Sequence, residues 1–132
     1  MKATEQERGL IKLMSFGFKY GLPNANCYFD VSFAKNPARE RKWGLFATED
    51  EEMVRYVLEQ DLVSRFVGLA VPLVEHMANV DAYHVIAFGC NSGRHRSPII
   101  VDSIAAALHG KVRCIVEHRD RPDFEKSLSA GK

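Results

Sequence analysis

Apolar residues fall along the chain in short continuous runs and in helical stripes. The runs read as strands. Residues 10–16 (Leu10, Ile11, Leu13, Met14 and Phe16 among them) predict a largely buried strand, and residues 27–33 a second, shorter one. His84-Val85-Ile86-Ala87-Phe88, bounded by Asp81 and Gly89, suits a central parallel strand buried on both faces. Residues 112–116 predict a further strand. Between these lie helices. Thr48 and Glu51 spell a capping box, and Glu49, Asp50, Glu51 and Glu52 favour the positive start of a helix running to Gln60. From Leu62 a second helix places Leu62, Phe66, Leu69, Leu73 and Met77 on one face, with a kink or break at Pro72. Ser97 as N-cap followed by Pro98 opens a third, carried by Ile99, Ile100, Ile104, Ala107 and Leu108 and ended by Gly110. Gly17, Gly21 and Pro23 make residues 17–24 a loop, and the basic stretch 35–42 is a loop or a short irregular helix.

Strand, helix, strand in that order predicts a right-handed parallel crossover. The expected class is α/β: a single three-layer domain over residues 1–132 with a mainly parallel sheet, flexible at 1–9 and 121–132. Its 132 residues suffice for one core but not two. Hydrophobic residues make up 46% and charged residues 27%, as in soluble globular proteins. A net charge of +1 gives no global basic field, so any anion site is local. The three cysteines, Cys27, Cys90 and Cys114, suit neither a zinc site nor a disulfide framework. With a polar start at residues 1–8 and no apolar run of spanning length, a reduced cytoplasmic setting is expected, with no membrane partner, metal or cofactor.

The chemistry concentrates between the strand ending at Phe88 and the helix starting at Pro98. Ligands of open parallel sheets bind at the carboxyl ends of strands, and helix starts offer unpaired amides and a positive dipole end. Gly89 and Gly93 let the backbone turn its amides inward. Arg96 can form two parallel hydrogen bonds to a phosphate, and Ser97 can cap the helix or reach the anion. Cys90 would lie at the floor. The phosphate-binding set is therefore Cys90, Asn91, Ser92, Gly93, Arg94, His95, Arg96 and Ser97, with His95 orienting the loop. The spacing, Cys90 followed by Arg96 and Ser97 with Gly93 between, resembles the phosphate loop of cysteine-dependent tyrosine phosphatases. That resemblance implies Cys90 as nucleophile, Arg96 on the equatorial oxygens and Ser97 assisting the thiolate. A phosphatase would also need an acid, for which Asp30, Asp50, Asp81 and Asp120 are the candidates.

A wider likeness runs from Leu13 to Asp120. Residues 15–23 (Ser-Phe-Gly-Phe-Lys-Tyr-Gly-Leu-Pro), then Phe29-Asp30-Val31, Asn36-Pro37, residues 89–97 and His118-Arg119-Asp120 occur in the order that resembles the C-terminal domain of the RapZ-type RNase adapters. The resemblance implies a domain without a Walker loop of its own that binds an amino-sugar phosphate and a regulatory RNA and helps assemble oligomers. The family pattern has Arg at Ser32, His or Tyr then Trp at Ala38 and Arg39, and Thr-Gly at Asn91-Ser92. The phosphate grip is retained and the specificity pocket is changed.

Around the loop, Lys19, Asp30, Asn36, His118 and Arg119 are candidate further contacts. Lys35, Arg39, Arg41 and Lys42, with Trp43 and Phe46 beside them, offer either a solvated charged loop and core packing or an RNA contact. The function expected is a binding and regulatory module, RNase-adapter-like, for a phosphorylated ligand: a sugar phosphate, a nucleotide or an RNA backbone. RNA, a protein partner and a second copy of the chain are candidate partners. The alternative is a cysteine-dependent phosphatase using Cys90 and Arg96.

Overall fold

Four apolar segments pair in register to build one sheet. The computed structural model describes residues 9–44, 47–80 and 83–121. In it β1 (Leu10–Gly17), β2 (Cys27–Asp30), β3 (Tyr83–Cys90) and β4 (Cys114–His118) lie in the order β2-β3-β1-β4, every neighbouring pair parallel. The helices are α1 (Glu51–Leu58), α2 (Asp61–Met77) and α3 (Arg96–Leu108). Short 3-10 turns cover Phe18–Tyr20 and Pro37–Arg39. The α/β class is as the sequence predicts, with a sheet that is parallel throughout. The ends expected to be flexible lie outside the described residues, except for Gly9, whose amide donates to the Ala78 carbonyl, and Arg121.

Strand side chains alternate between two faces. Ile11 and Leu13 of β1 and Ile86 and Phe88 of β3 join Met53, Val57, Val63, Val74, Ile99, Ile100 and Ile104 from the helices in the main core. On the other face Met14, Phe16 and Ala87 form a smaller cluster packed by Ala25. The Phe18 ring meets Phe16 edge-on at 4.8 Å there. The third layer is thus irregular chain from the β1–β2 connection. Chain leaving β1 covers this face, whereas chain leaving β3 enters α3 on the helical side. Adjacent strands that release their chain to opposite faces open a crevice at their carboxyl ends. The register puts four ends at that edge, pairing Gly17 with Cys90, Asp30 with Gly89 and Ser15 with His118.

Several boundaries differ from the sequence reading. The cap of α1 is Asp50, whose carboxylate accepts from the Met53 amide at 2.7 Å, not Thr48. Both residues are good acceptors, and two residues of extra loop let the later one close the turn. The helix stops at Leu58. Residues 31–33 leave the sheet because the Asp30 carboxylate accepts from the Ser32 amide and bends the chain. Strand β4 starts at Cys114, two residues later than the apolar run.

Helix α2 is rotated from its expected setting. It buries Val63, Ala70 and Val74, while Leu62, Leu69 and Leu73 are 58%, 74% and 45% exposed. The two stripes have the same spacing, offset by one residue or about 100°. The stripe of smaller side chains allows the closer approach to α3 and the sheet. Phe66 of the expected stripe still packs inward, on Phe29 and Phe88. Pro72 does not break α2. It is exposed, and so is Gly68 four residues back, where water can serve the carbonyl that lacks a donor.

Candidate functional site

Residues 90–97 join the buried end of β3 to the start of α3. Gly93 has φ +71, a conformation L side chains rarely adopt, and a Cβ there would stand 2.6 Å from the Gly17 nitrogen and 2.7 Å from the Phe16 carbonyl carbon. A Cβ on Gly17 would in turn come 2.4 Å from the Ser92 carbonyl carbon. The loop therefore lies backbone to backbone on the end of β1, a contact only two glycines allow. The Asn91 carbonyl is used by the Lys19 amide at 3.1 Å. The amides of Asn91, Ser92, Gly93 and His95 donate to no acceptor among the described residues. Unspent amides at the mouth of a helix are the elements of an anion cradle.

Arg96 is 9% exposed, inside the first turn of α3. Its Nη1 donates to the carbonyls of Ser32 at 3.0 Å and Ala34 at 3.2 Å, in the segment following β2. Nε and Nη2 have no acceptor among the described residues. His95 occupies the N-cap position without capping; its Nε2 donates to the Ala47 carbonyl at 2.9 Å and ties the loop to the chain ahead of α1. Ser97 is not the cap expected of it, because α3 begins at Arg96, two residues earlier than expected. It is fully buried and its hydroxyl donates to the Phe16 carbonyl. The Cys90 thiol donates to Ser97 Oγ at 3.3 Å. Arg94 is half-buried beside them.

The outlying candidates divide. Asp30 is exposed at the end of β2, and its carboxyl lies below its usual value through hydrogen bonds from Ser32, aided by the Arg96 charge. Asn36 is spent on its own turn, accepting from the Ala38 amide. Lys19 touches the loop with its amide, while its Nζ lies 5.2 Å from the centre of the Tyr20 ring. Arg119 is held by Asp120 at 2.8 Å and by the Gly21 carbonyl at 2.7 Å. Asp120 also accepts from the Gly17 amide at 2.7 Å. Of the three candidate acids among the described residues, Asp120 alone is brought against Gly93, and it arrives ion-paired. Asp50 caps α1, and the Met53 amide holds its carboxyl low. Asp81 lies outside the described residues.

His118 bridges two elements. Its Nε2 donates to Asp102 Oδ1 and its Nδ1 meets Ser15 Oγ, each at 2.7 Å. Serine, histidine and aspartate in a row suggest a hydrolase relay, but Ser15 is fully buried and meets no substrate. The set instead fastens the end of β1 to α3, with Arg121 on the second Asp102 oxygen at 3.3 Å. Burial pushes the Asp102 carboxyl up, but the His118 hydrogen bond and charge, together with Arg121, outweigh it and hold it below its usual value. A carboxyl lowered by folding stabilises above the unfolded value and loses that contribution as pH falls through the folded one. Acid titration of thermal stability below about pH 4 should therefore show a steeper loss in wild type than in Asp102→Asn. Equal slopes would remove Asp102 from the acid response.

The basic stretch carries no uniform positive surface. Lys42 pairs with Glu52 and lies over Trp43, whose Nε1 donates to Asp50 at 3.2 Å and whose ring packs on Tyr56. Glu40, Glu52 and Glu59 interleave with Arg41, Lys42 and Arg55 along a groove of about 540 Å³. Phe46 lies outside the described residues. Among the described residues no group of side chains could hold a metal, and no helix is long and apolar enough to cross a membrane.

Comparison with known proteins adds relatives to this geometry. The profile of the RapZ C-terminal domain matches residues 10–122. A protein of Dictyoglomus thermophilum is 36% identical over 117 residues, covering 84% of this chain and 40% of the relative. One of Listeria monocytogenes is 35% identical over 118 residues (83% and 40%), and one of Shewanella loihica 36% over 124 (89% and 44%). Each bears the name nucleotide-binding protein. The chain spans less than half the length of these relatives.

Proposed function

The chain belongs to the RapZ C-terminal domain family, and from that premise we propose that it is a binding and regulatory module that holds the phosphate group of its ligand in residues 90–97. The observation that carries this reading is the row of amides at Asn91, Ser92, Gly93 and His95 that find no acceptor among the described residues, beside a guanidinium that those residues hold by Nη1 alone. Together they supply a set of donors, one of them charged, within one short loop at a helix start. A nucleotide is the ligand that the relatives' names favour. A sugar phosphate and an RNA backbone present the same group. As an RNase-adapter-like module, the domain would pass occupancy on to a protein partner, an RNA or a second copy.

The residues favour holding over hydrolysis. A thiolate nucleophile needs a donor, yet the Ser97 hydroxyl proton is committed to the Phe16 carbonyl. A leaving oxygen needs a proton, yet Asp30 and Asp50 are held ionised and Asp120 is ion-paired. Calorimetry with inorganic phosphate tests the reading. Wild type should bind saturably, and Arg96→Ala and Arg96→Lys should each weaken binding at least about tenfold, the lysine because it lacks the planar fork. Circular dichroism separates lost grip from lost fold. Equal affinity in all three folded proteins rejects the reading. Aryl phosphate hydrolysis that disappears in Cys90→Ser would replace it with the phosphatase.

A further inference from the structure

We propose that the 3-10 turn after β1 is a stacking platform, Tyr20 foremost, for the base of a free nucleoside monophosphate whose phosphate lies in residues 90–97. The proposal rests on the phosphate-binding reading of that loop and names the ligand class it takes. Phe18, Tyr20 and Leu22 are 37%, 57% and 64% exposed, so the turn and the residue after Gly21 present three large apolar side chains to solvent. Exposed apolar surface of this kind marks a binding surface when it adjoins polar recognition groups. It does so here, because the Lys19 amide donates to the Asn91 carbonyl at 3.1 Å and places Tyr20 one residue from the loop.

The turn is also fixed before any ligand arrives. The Gly21 amide closes it on the Phe18 carbonyl at 3.1 Å, and Arg119 holds the Gly21 carbonyl at 2.7 Å. Phe18 is wedged against Phe16, and a Cβ on Gly89 would meet its ring at 2.7 Å. A platform held in place binds without ordering itself first. Charge agrees with the assignment. Lys19 Nζ stands over the Tyr20 ring, 5.2 Å from its centre, and adds a cation to the platform. The chemistry also discriminates. A bare sugar phosphate has hydroxyls that need polar partners and no π-face, so it gains nothing from Phe18, Tyr20 and Leu22. A base has a π-face, and stacking on an aromatic side chain contributes about tenfold or more in affinity.

The experiment compares AMP, ribose 5-phosphate and inorganic phosphate by calorimetry on the full chain. Wild type should bind AMP about tenfold more tightly than ribose 5-phosphate. Tyr20→Ala should bring AMP down to the ribose 5-phosphate level, and Tyr20→Phe should keep the advantage. Tyr20 lies on the surface, so both variants fold. AMP no tighter than ribose 5-phosphate, or an advantage that survives Tyr20→Ala, overturns the platform while the loop reading stands. AMP binding indifferent to Arg96→Ala overturns the loop reading, and the platform with it.

Discussion

Gly93→Ala should abolish phosphate binding and destabilise the domain by about 2–5 kcal/mol, the sum of a left-handed conformation forced on an L residue and of overpacking. At φ +71 the added methyl has the Gly17 nitrogen at 2.6 Å and the Phe16 carbonyl carbon at 2.7 Å, and neither is the end of a flexible side chain. Relief requires the loop to lift off β1, which pulls the Asn91 carbonyl from the Lys19 amide and shifts the amides of the proposed cradle. Gly21→Ala is the control. It also has positive φ, at +90, but nothing lies within 4 Å of its added methyl, so only the backbone contribution applies. Urea unfolding together with phosphate titration checks both. Phosphate affinity unchanged in Gly93→Ala would disconnect the loop's geometry from the anion.

The second large effect lies one layer beneath. Phe88 is fully buried, stacked on Phe29 at 5.4 Å and edge-on to Phe66 at 6.2 Å, and it lies two residues before the end of β3, where the loop begins. Phe88→Ala should lower the unfolding free energy by about 3–5 kcal/mol, because the removed ring leaves a cavity between sheet and helix that its neighbours only partly fill. Leu69→Ala, on the outer stripe of α2, should stay within about 0.5 kcal/mol of wild type. Chemical denaturation of the pair reads out which stripe of α2 faces the core. A large loss in Leu69→Ala would mean the helix is seated the other way.

The strands and the loop were legible because their signals are local. Residues 84–88 form an unbroken apolar run, which a parallel strand covered on both faces requires, and Gly93, Arg96 and Ser97 follow Cys90 at fixed steps. The α2 face was not legible, since Leu62, Leu69 and Leu73 repeat at the same interval as Val63, Ala70 and Val74, and only the partner surface selects between them. The cap of α1 hid for a similar reason, with Thr48 and Asp50 both able to accept. Contacts closed by the tertiary fold left no trace at all. Nothing near Ser15 announces His118, and nothing near Gly17 announces Asp120, both 103 residues away. Arg119 shows the opposite failure. Its position at the sheet edge is as expected, but its donors go to Asp120 and Gly21, so topology located the residue without assigning its partners.

Donors that belong to the peptide bond survive almost any exchange of side chain, and only proline removes one. In the proposed cradle the anchor is therefore insensitive to mutation at Asn91 or Ser92, and equally at Ser32, which meets Arg96 through its carbonyl. Those three are among the five positions, with Ala38 and Arg39, at which the sequence departs from the pattern it resembles. Retention falls to the main chain and to Arg96, and choice of ligand to the other side chains. A lineage can then exchange one phosphorylated cargo for another without passing through a form that carries none.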